Sequence, residues 1–98
     1  MSEVRDNVAA KRFELETEGG LAVANYRLEG DTMMFTHTET PRHLQGRGIA
    51  SRLVRGALEN ARARGLRVRP LCSFVADYIR RHPEFQDLVG SGSPRRPL

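Results

Sequence analysis

Between Pro41 and Ala50 the chain reads Pro41-Arg42-His43-Leu44-Gln45-Gly46-Arg47-Gly48-Ile49-Ala50, a basic, glycine-bearing stretch that runs directly into a helical pattern. Residues of these types in that place suit one task, the holding of an anion. The first N–H groups of a helix have no partners within it, and the helix dipole adds roughly half a positive charge there, so a phosphate is favoured without any catalytic side chain. Gly46 and Gly48 clear Cβ atoms from the approach, and Arg42, Arg47 and Arg52 add cationic reach. A tight strand-to-helix turn without a ligand would use glycines in the same way, so the loop by itself leaves both readings open. The lone Cys72 stands just before a second helical pattern, where a thiolate would be stabilised, although a small buried apolar residue is an equal reading.

The elements that would position these residues follow from hydrophobic periodicity. Lys11 to Glu16 alternates Phe13 and Leu15 with charged neighbours, as a half-buried strand does. Gly19-Gly20 turns the chain into a second strand from Leu21 to Leu28, and Glu29-Gly30-Asp31 turns it into a third from about Thr32 to Thr40. An antiparallel meander is expected. The period then changes, because Ile49, Leu53, Val54, Ala57, Leu58 and Ala61 lay one apolar stripe along a helix that runs to about Arg64, with Gly65 as its left-handed stop. Leu66 to Cys72 reads as a short strand parallel to its neighbour. Ser73 is placed to cap a helix through Arg81, Pro83 ends it, and Glu84 to Val89 reads as a helical turn packing back. Residues 1–89 are expected to form one minimal domain, and Gly90 to Leu98 a disordered basic tail that buries too little to repay ordering.

Gln45-x-x-Gly48-x-Ala50, set between a meander and an amphipathic helix, strand and second helix, resembles the Q/R-x-x-G-x-G/A signature of the GCN5-related N-acetyltransferases. The resemblance extends to a subfamily of very short, YjdJ-like acetyltransferase-like proteins through His37-Thr38-Glu39-Thr40-Pro41, Leu44 to Ala50, and Pro70-Leu71-Cys72-Ser73-Phe74-Val75 continuing into Tyr78 to Phe85. It implies an α+β, acyl-CoA N-acyltransferase-like fold in which the meander leads into a β-α-β-α unit. It also implies acetyl-CoA as cosubstrate, its pyrophosphate gripped over Gln45, Gly46, Arg47, Gly48, Ile49, Ala50 and Ser51. The strand end near Glu39 and Thr40 would pair with the pantetheine arm and polarise the thioester carbonyl. Larger members of the family carry two helices after their first strand, whereas here only Glu18-Gly19-Gly20 separates the first two predicted strands, so the acceptor pocket is expected to be open or completed by a partner.

Acetylation of an amine requires a group to take its proton and a group to protonate the leaving thiolate, unless solvent does both. Glu39 and His37 are the base candidates; they lie two apart and share a face on a regular strand, with a strand-end ion pair and a polar strand residue as the alternatives. Tyr78 is the candidate acid toward the thiolate, or else a core tyrosine. The resemblance puts Cys72 where the thioester should point, so it is a candidate transient acyl acceptor. His43 and His82 read as a loop residue and a helix-end residue.

Composition narrows the function classes. The chain has 98 residues, and no apolar run approaches the roughly 20 residues a membrane helix needs. Nothing at Met1 to Asp6 resembles a secretory signal, which makes a cytoplasmic location the expectation. One cysteine cannot form an internal disulfide or a thiolate zinc site, so no metal is indicated. The formal charge of +4 comes almost entirely from arginine, yet Arg52, Arg55, Arg62 and Arg64 share their helix with Glu59 and no run of stacking aromatics accompanies them, which disfavours nucleic acid. The expected activity is transfer of an acetyl group to an amine, on a small molecule or a protein. A coenzyme A or acyl-CoA binding module with little turnover is the alternative, and a homodimer stays open as a partner arrangement.

Overall fold

A computed structural model describes residues 3–89; the predicted tail from Gly90 to Leu98 lies outside them. Five strands form one sheet in sequence order: β1 (Arg5–Asn7), β2 (Arg12–Thr17), β3 (Gly20–Glu29), β4 (Thr32–Glu39) and β5 (Arg67–Pro70). The first four are antiparallel, and β5 pairs parallel to β4 after the crossover helix α1 (Ile49–Ala63). Helix α2 spans Ser73–Arg81, and 3₁₀ turns occupy Arg42–Leu44 and Pro83–Leu88. The α+β class and the meander leading into a β-α-β-α unit are as expected. Gly65 ends the crossover helix region with a φ of 71°.

Alternation along the strands assigns the two faces of the sheet. Phe13 and Leu15 of β2, Ala22, Ala24 and Tyr26 of β3, Met33 and Phe35 of β4 and Val68 of β5 form one core with Leu53, Val54, Ala57, Leu58 and Ala61 of α1 and Val75, Tyr78 and Ile79 of α2. Both helices therefore pack on the same face. Leu53 and Leu58 are completely buried, and each contributes about 2 kcal/mol of transfer free energy to that packing. Among the described residues neither helix packs on the opposite face, where Glu14, Val23 and Met34 are nonetheless buried.

Strand β1 has no counterpart in the hydrophobic pattern, and the count of strands before the glycine loop is four where three were expected. Its residues are Arg5-Asp6-Asn7, with no apolar alternation, and polar side chains hold it in place. Arg5 donates to Glu14 at 3.0 Å and Asn7 to Glu14 at 2.8 Å, while Asp6 accepts from Tyr26 at 2.6 Å and from Arg64 at 3.0 Å. The extra strand returns through the turn at Val8 to Lys11, so neither of the first two connections contains a helix.

A β-bulge in β4 decides which residues reach the helical side. Phe35 pairs with Tyr26, but the next pair is His37 with Asn25, so Thr36 is an extra residue and every side chain beyond it changes face. Thr38 then pairs with Ala24 on the helical face, while His37 and Glu39 point to the uncovered one. Periodicity carried on from Met33 and Phe35 would have given the reverse.

Candidate functional site

Strands β4 and β5 pair only from Thr32–Arg67 to Phe35–Pro70. Past that point the chain after β5 leaves toward α2, with the N–H groups of Leu71 and Cys72 both donating to Phe35 O at 2.9 Å, and β4 continues through Thr36–Glu39 paired with β3 but no longer with β5. The parting of the two strands opens a cleft of about 450 Å³, within the range of small-ligand sites, lined by Thr38 and Thr40 on one side and Phe74 on the other. Leu44, Gln45, Gly46, Gly48, Ile49, Ala50 and Ser51 close its end. Of the eight residues predicted to contact a cofactor, seven line this cleft; Arg47 is exposed at its rim.

The cleft's end is a helix start with open donors. Gly48 is the N-cap of α1 in the left-handed region, at a φ of 77°, and makes no side-chain cap; the first turn carries no acidic residue. The first intrahelical bond runs from Arg52 N to Gly48 O at 3.0 Å, which leaves the amides of Ile49, Ala50 and Ser51 without helical acceptors. Gly46 also has a positive φ, 86°, and a Cβ added at either glycine would meet no atom within 4 Å. Backbone conformation, rather than crowding inside the chain, requires glycine here, and the space in front of the amides stays clear. Gln45 ties the loop from within, its Nε2 donating to Thr40 O at 3.3 Å.

Arginines near the cleft fall into two groups. Arg52 is taken by Glu3 at 2.5 Å, which withdraws it from the cationic role expected of it. Arg42 and Arg47 have no acidic partner among the described residues.

Cys72 lies beside the open stretch of β4, its sulfur 3.4 Å from the Thr38 hydroxyl, and it is the N-cap of α2, one residue before the predicted cap at Ser73. Burial pushes the thiol up, but the Thr38 hydroxyl and the backbone amides of Val75, Phe74 and Thr38 together outweigh that, and the pKa is lowered overall. His37 and Glu39 are exposed on the opposite face of β4 and do not line the cleft. Tyr78 is buried in the core, stacked on His82 at 3.8 Å and facing Phe85 at 6.2 Å. Burial raises its pKa against the nearby Arg55 guanidinium, and it does not line the cleft either. None of the four candidate catalytic residues lines the cleft itself; Cys72 touches Thr38, which does, whereas His37 and Glu39 lie on the other face of β4 and Tyr78 lies in the core.

Thr38, Leu44 and Phe74 line the cleft beyond the residues predicted to contact a cofactor. Thr38 needed knowledge of the bulge. Phe74 carried a visible signal, a large apolar residue on the exposed side of a helix's first turn, and it is 39% exposed over the cleft.

Residues 12–88 match the sequence profile of the GCN5-related N-acetyl-transferase family. The chain belongs to that family. Among solved structures it is similar to the solution structure of a GCN5-like candidate N-acetyltransferase from Staphylococcus aureus, with 25% identity and a TM-score of 0.67 over 90% of this chain and 89% of that one. A search of curated proteins gives no significant match. The family supports acetyl transfer as the general class of chemistry, and the TM-score of the solved neighbour supports the same α+β fold.

Proposed function

We propose that the protein binds acetyl-CoA in the cleft between β4 and α2 and transfers the acetyl group to an amine. The observation that carries this reading is the combination at the cleft's end: amides of Ile49, Ala50 and Ser51 without helical acceptors, two left-handed glycines with clear space before them, and Arg42 and Arg47 alongside with no acidic partner among the described residues. A pyrophosphate on those amides would send the pantetheine arm along the open edge of β4, past Thr40 and Thr38, under the Phe74 ring and toward Cys72.

Two routes for the acetyl group follow from the two faces of β4. In direct transfer the amine approaches over the uncovered face, where Glu39 or His37 takes its proton as nitrogen attacks the thioester carbon; the C–S bond breaks and its electron pair leaves on the coenzyme sulfur, protonated by solvent. The position of Tyr78 in the core supports no role as that acid. In the second route the Cys72 thiolate attacks the carbonyl, the C–S bond to coenzyme A breaks, and acetyl-cysteine forms before the amine displaces it. The contact between Thr38 and Cys72 and the lowered thiol pKa favour this second route. A binding module without turnover remains the alternative that the assay must exclude. The subfamily of short, YjdJ-like proteins fits a chain whose first connections hold no helix.

Calorimetric titration with coenzyme A and acetyl-CoA, on wild type and Gly48→Glu, tests the clamp. Binding by the wild type and at least about 100-fold weaker binding by the variant are expected, since the new carboxylate would sit before the amides in a strained backbone. Absence of wild-type binding at millimolar ligand would sink the proposal. Intact-mass measurement after mixing with acetyl-CoA then separates the routes, because an added acetyl group lost in Cys72→Ala marks the second. Free thiol released with an amine present, undiminished in Cys72→Ala, marks the first.

A further inference from the structure

The loop from Pro41 to Gly48 has one buried side chain, Leu44, and otherwise lies on the surface. Its shape comes from its own 3₁₀ turn and the Gln45–Thr40 bond, and from the surface it leans against. That surface is the turn between β2 and β3, more than twenty residues earlier in the chain. A Cβ built on Gly19 would lie 2.7 Å from His43 Nε2 and 3.3 Å from both His43 Cδ2 and Leu44 Cδ2, and one on Gly20 would lie 2.8 Å from Pro41 Cγ. The turn is itself locked, with Thr17 Oγ1 donating to Gly20 O at 2.8 Å and accepting from Gly19 N at 3.3 Å.

Gly19 is the informative member of this pair. Its backbone is not in the left-handed region, unlike that of Gly20, Gly30, Gly46, Gly48 and Gly65, so its own conformation would accept any residue. What a side chain would meet is the loop: the exposed His43 ring at 2.7 Å, which must turn aside, and the buried Leu44 methyl at 3.3 Å, which must give by a few tenths of an ångström.

We propose that the β2–β3 turn is the positioning element of the anion loop, with Gly19 and Gly20 as positioning residues that let Pro41, His43 and Leu44 seat flush against the hairpin. This rests on reading the loop as the pyrophosphate site and identifies what holds it in register. In a chain whose early connections contain no helices, the hairpin end is the nearest rigid wall. Neither glycine lines the cleft. A shift of the loop by a few tenths of an ångström would be felt at Gly46 and Gly48, because ligand-gripping groups work only within about 0.5 Å of their productive places.

The test uses the full-length protein and two readouts, coenzyme A affinity by calorimetry and the amide NMR signals of Gly46 and Gly48. Gly19→Ala is expected to weaken coenzyme A by about 5- to 10-fold and to move both glycine signals. Adding His43→Ala removes the ring atoms the new methyl meets, so the double variant should bind within about twofold of His43→Ala alone, a strong departure from additivity. Gly30→Ala is the contrast. That glycine has a φ of 60° and open space around it in the turn at the other end of the sheet, so the variant should lower the melting temperature and leave affinity and both signals in place. Unmoved glycine signals with affinity within twofold in Gly19→Ala would overturn the proposal. If wild type binds no coenzyme A, the pyrophosphate reading falls, while the glycine signals still decide whether the turn positions the loop.

Discussion

Arginines do opposite things at the two ends of α1. From its middle to its C-terminal end, Arg55 pairs with Glu84 at 2.8 Å and lies over the Phe85 ring at 5.1 Å, and Arg62 bonds both oxygens of Asp87 at 3.0 Å and the Glu84 carbonyl at 2.5 Å. Together they strap the 3₁₀ turn at Pro83–Leu88 to the helix. Before its N-terminal end Arg42 and Arg47 face solvent beside amides that no helical carbonyl satisfies. Where the fold needs a cation it supplies the acid as well, and where the described residues supply no acid, the anion is the proposed ligand's. Net charge alone says nothing of this division, since it counts both sets alike.

Substitution can break the comparison at either end. The largest effect is expected from Arg42→Ala with Arg47→Ala, which should weaken coenzyme A by about 10- to 30-fold at low ionic strength, less as salt screens the phosphates, with no loss of melting temperature. Calorimetry at two salt concentrations, paired with thermal unfolding, reads both quantities. A fall in stability with unchanged affinity would place these arginines with the structural set. Arg62→Ala should behave in the opposite sense, losing about 1 kcal/mol of stability, which for a chain of this size is a drop of roughly 4–8 °C, with affinity unchanged.

How much of this was legible beforehand depended on the kind of force involved. Helix α1 and the strands β2 to β4 could be read because each buries a periodic apolar face: Phe13 with Leu15, Met33 with Phe35, and the stripe from Ile49 to Ala61. The glycine loop was readable because its chemistry is backbone chemistry, and Gly48 needs its positive φ whatever surrounds it. Strand β1 was not, since Arg5-Asp6-Asn7 is held by ion pairs and hydrogen bonds to partners as far away as Arg64, which leave no period in the sequence. The bulge at Thr36 was hidden for a related reason. A single extra residue has no compositional mark, yet it moved Thr38 to the cleft and His37 and Glu39 away from it, so the candidate bases shared a face as expected but on the other side of the sheet. The pairing of Arg52 with Glu3 likewise joins positions that no local pattern connects.

The uncovered face supplies the smallest and most specific test, because it holds a carboxylate satisfied entirely by the chain. Glu14 is 4% exposed and accepts from Arg12 at 2.8 Å, Asn7 at 2.8 Å and Arg5 at 3.0 Å, which together hold its pKa down at about 2, from an ordinary 4.5, against the opposing effect of burial. A carboxyl group whose folded pKa is depressed stabilises the fold fully above its unfolded pKa, and the contribution disappears as pH falls through the folded value. The window here is from about pH 5 down to about pH 2. Two of its three donors, Arg5 and Arg12, are partly exposed, so solvent screening reduces the contribution to roughly 1–2 kcal/mol. Glu14→Gln should therefore be less stable than wild type by that amount at pH 7, and the two should converge as acid is added; urea midpoints at pH 7, 4 and 3 measure the gap. A gap that stays constant with pH would mean that Glu14 acts by packing and hydrogen bonding alone. Coenzyme A affinity at pH 7 should be unaffected, because this carboxylate belongs to the same class as Glu84 and Asp87: it answers the fold's own arginines and not Arg42 or Arg47, which have no acidic partner among the described residues and face the proposed ligand.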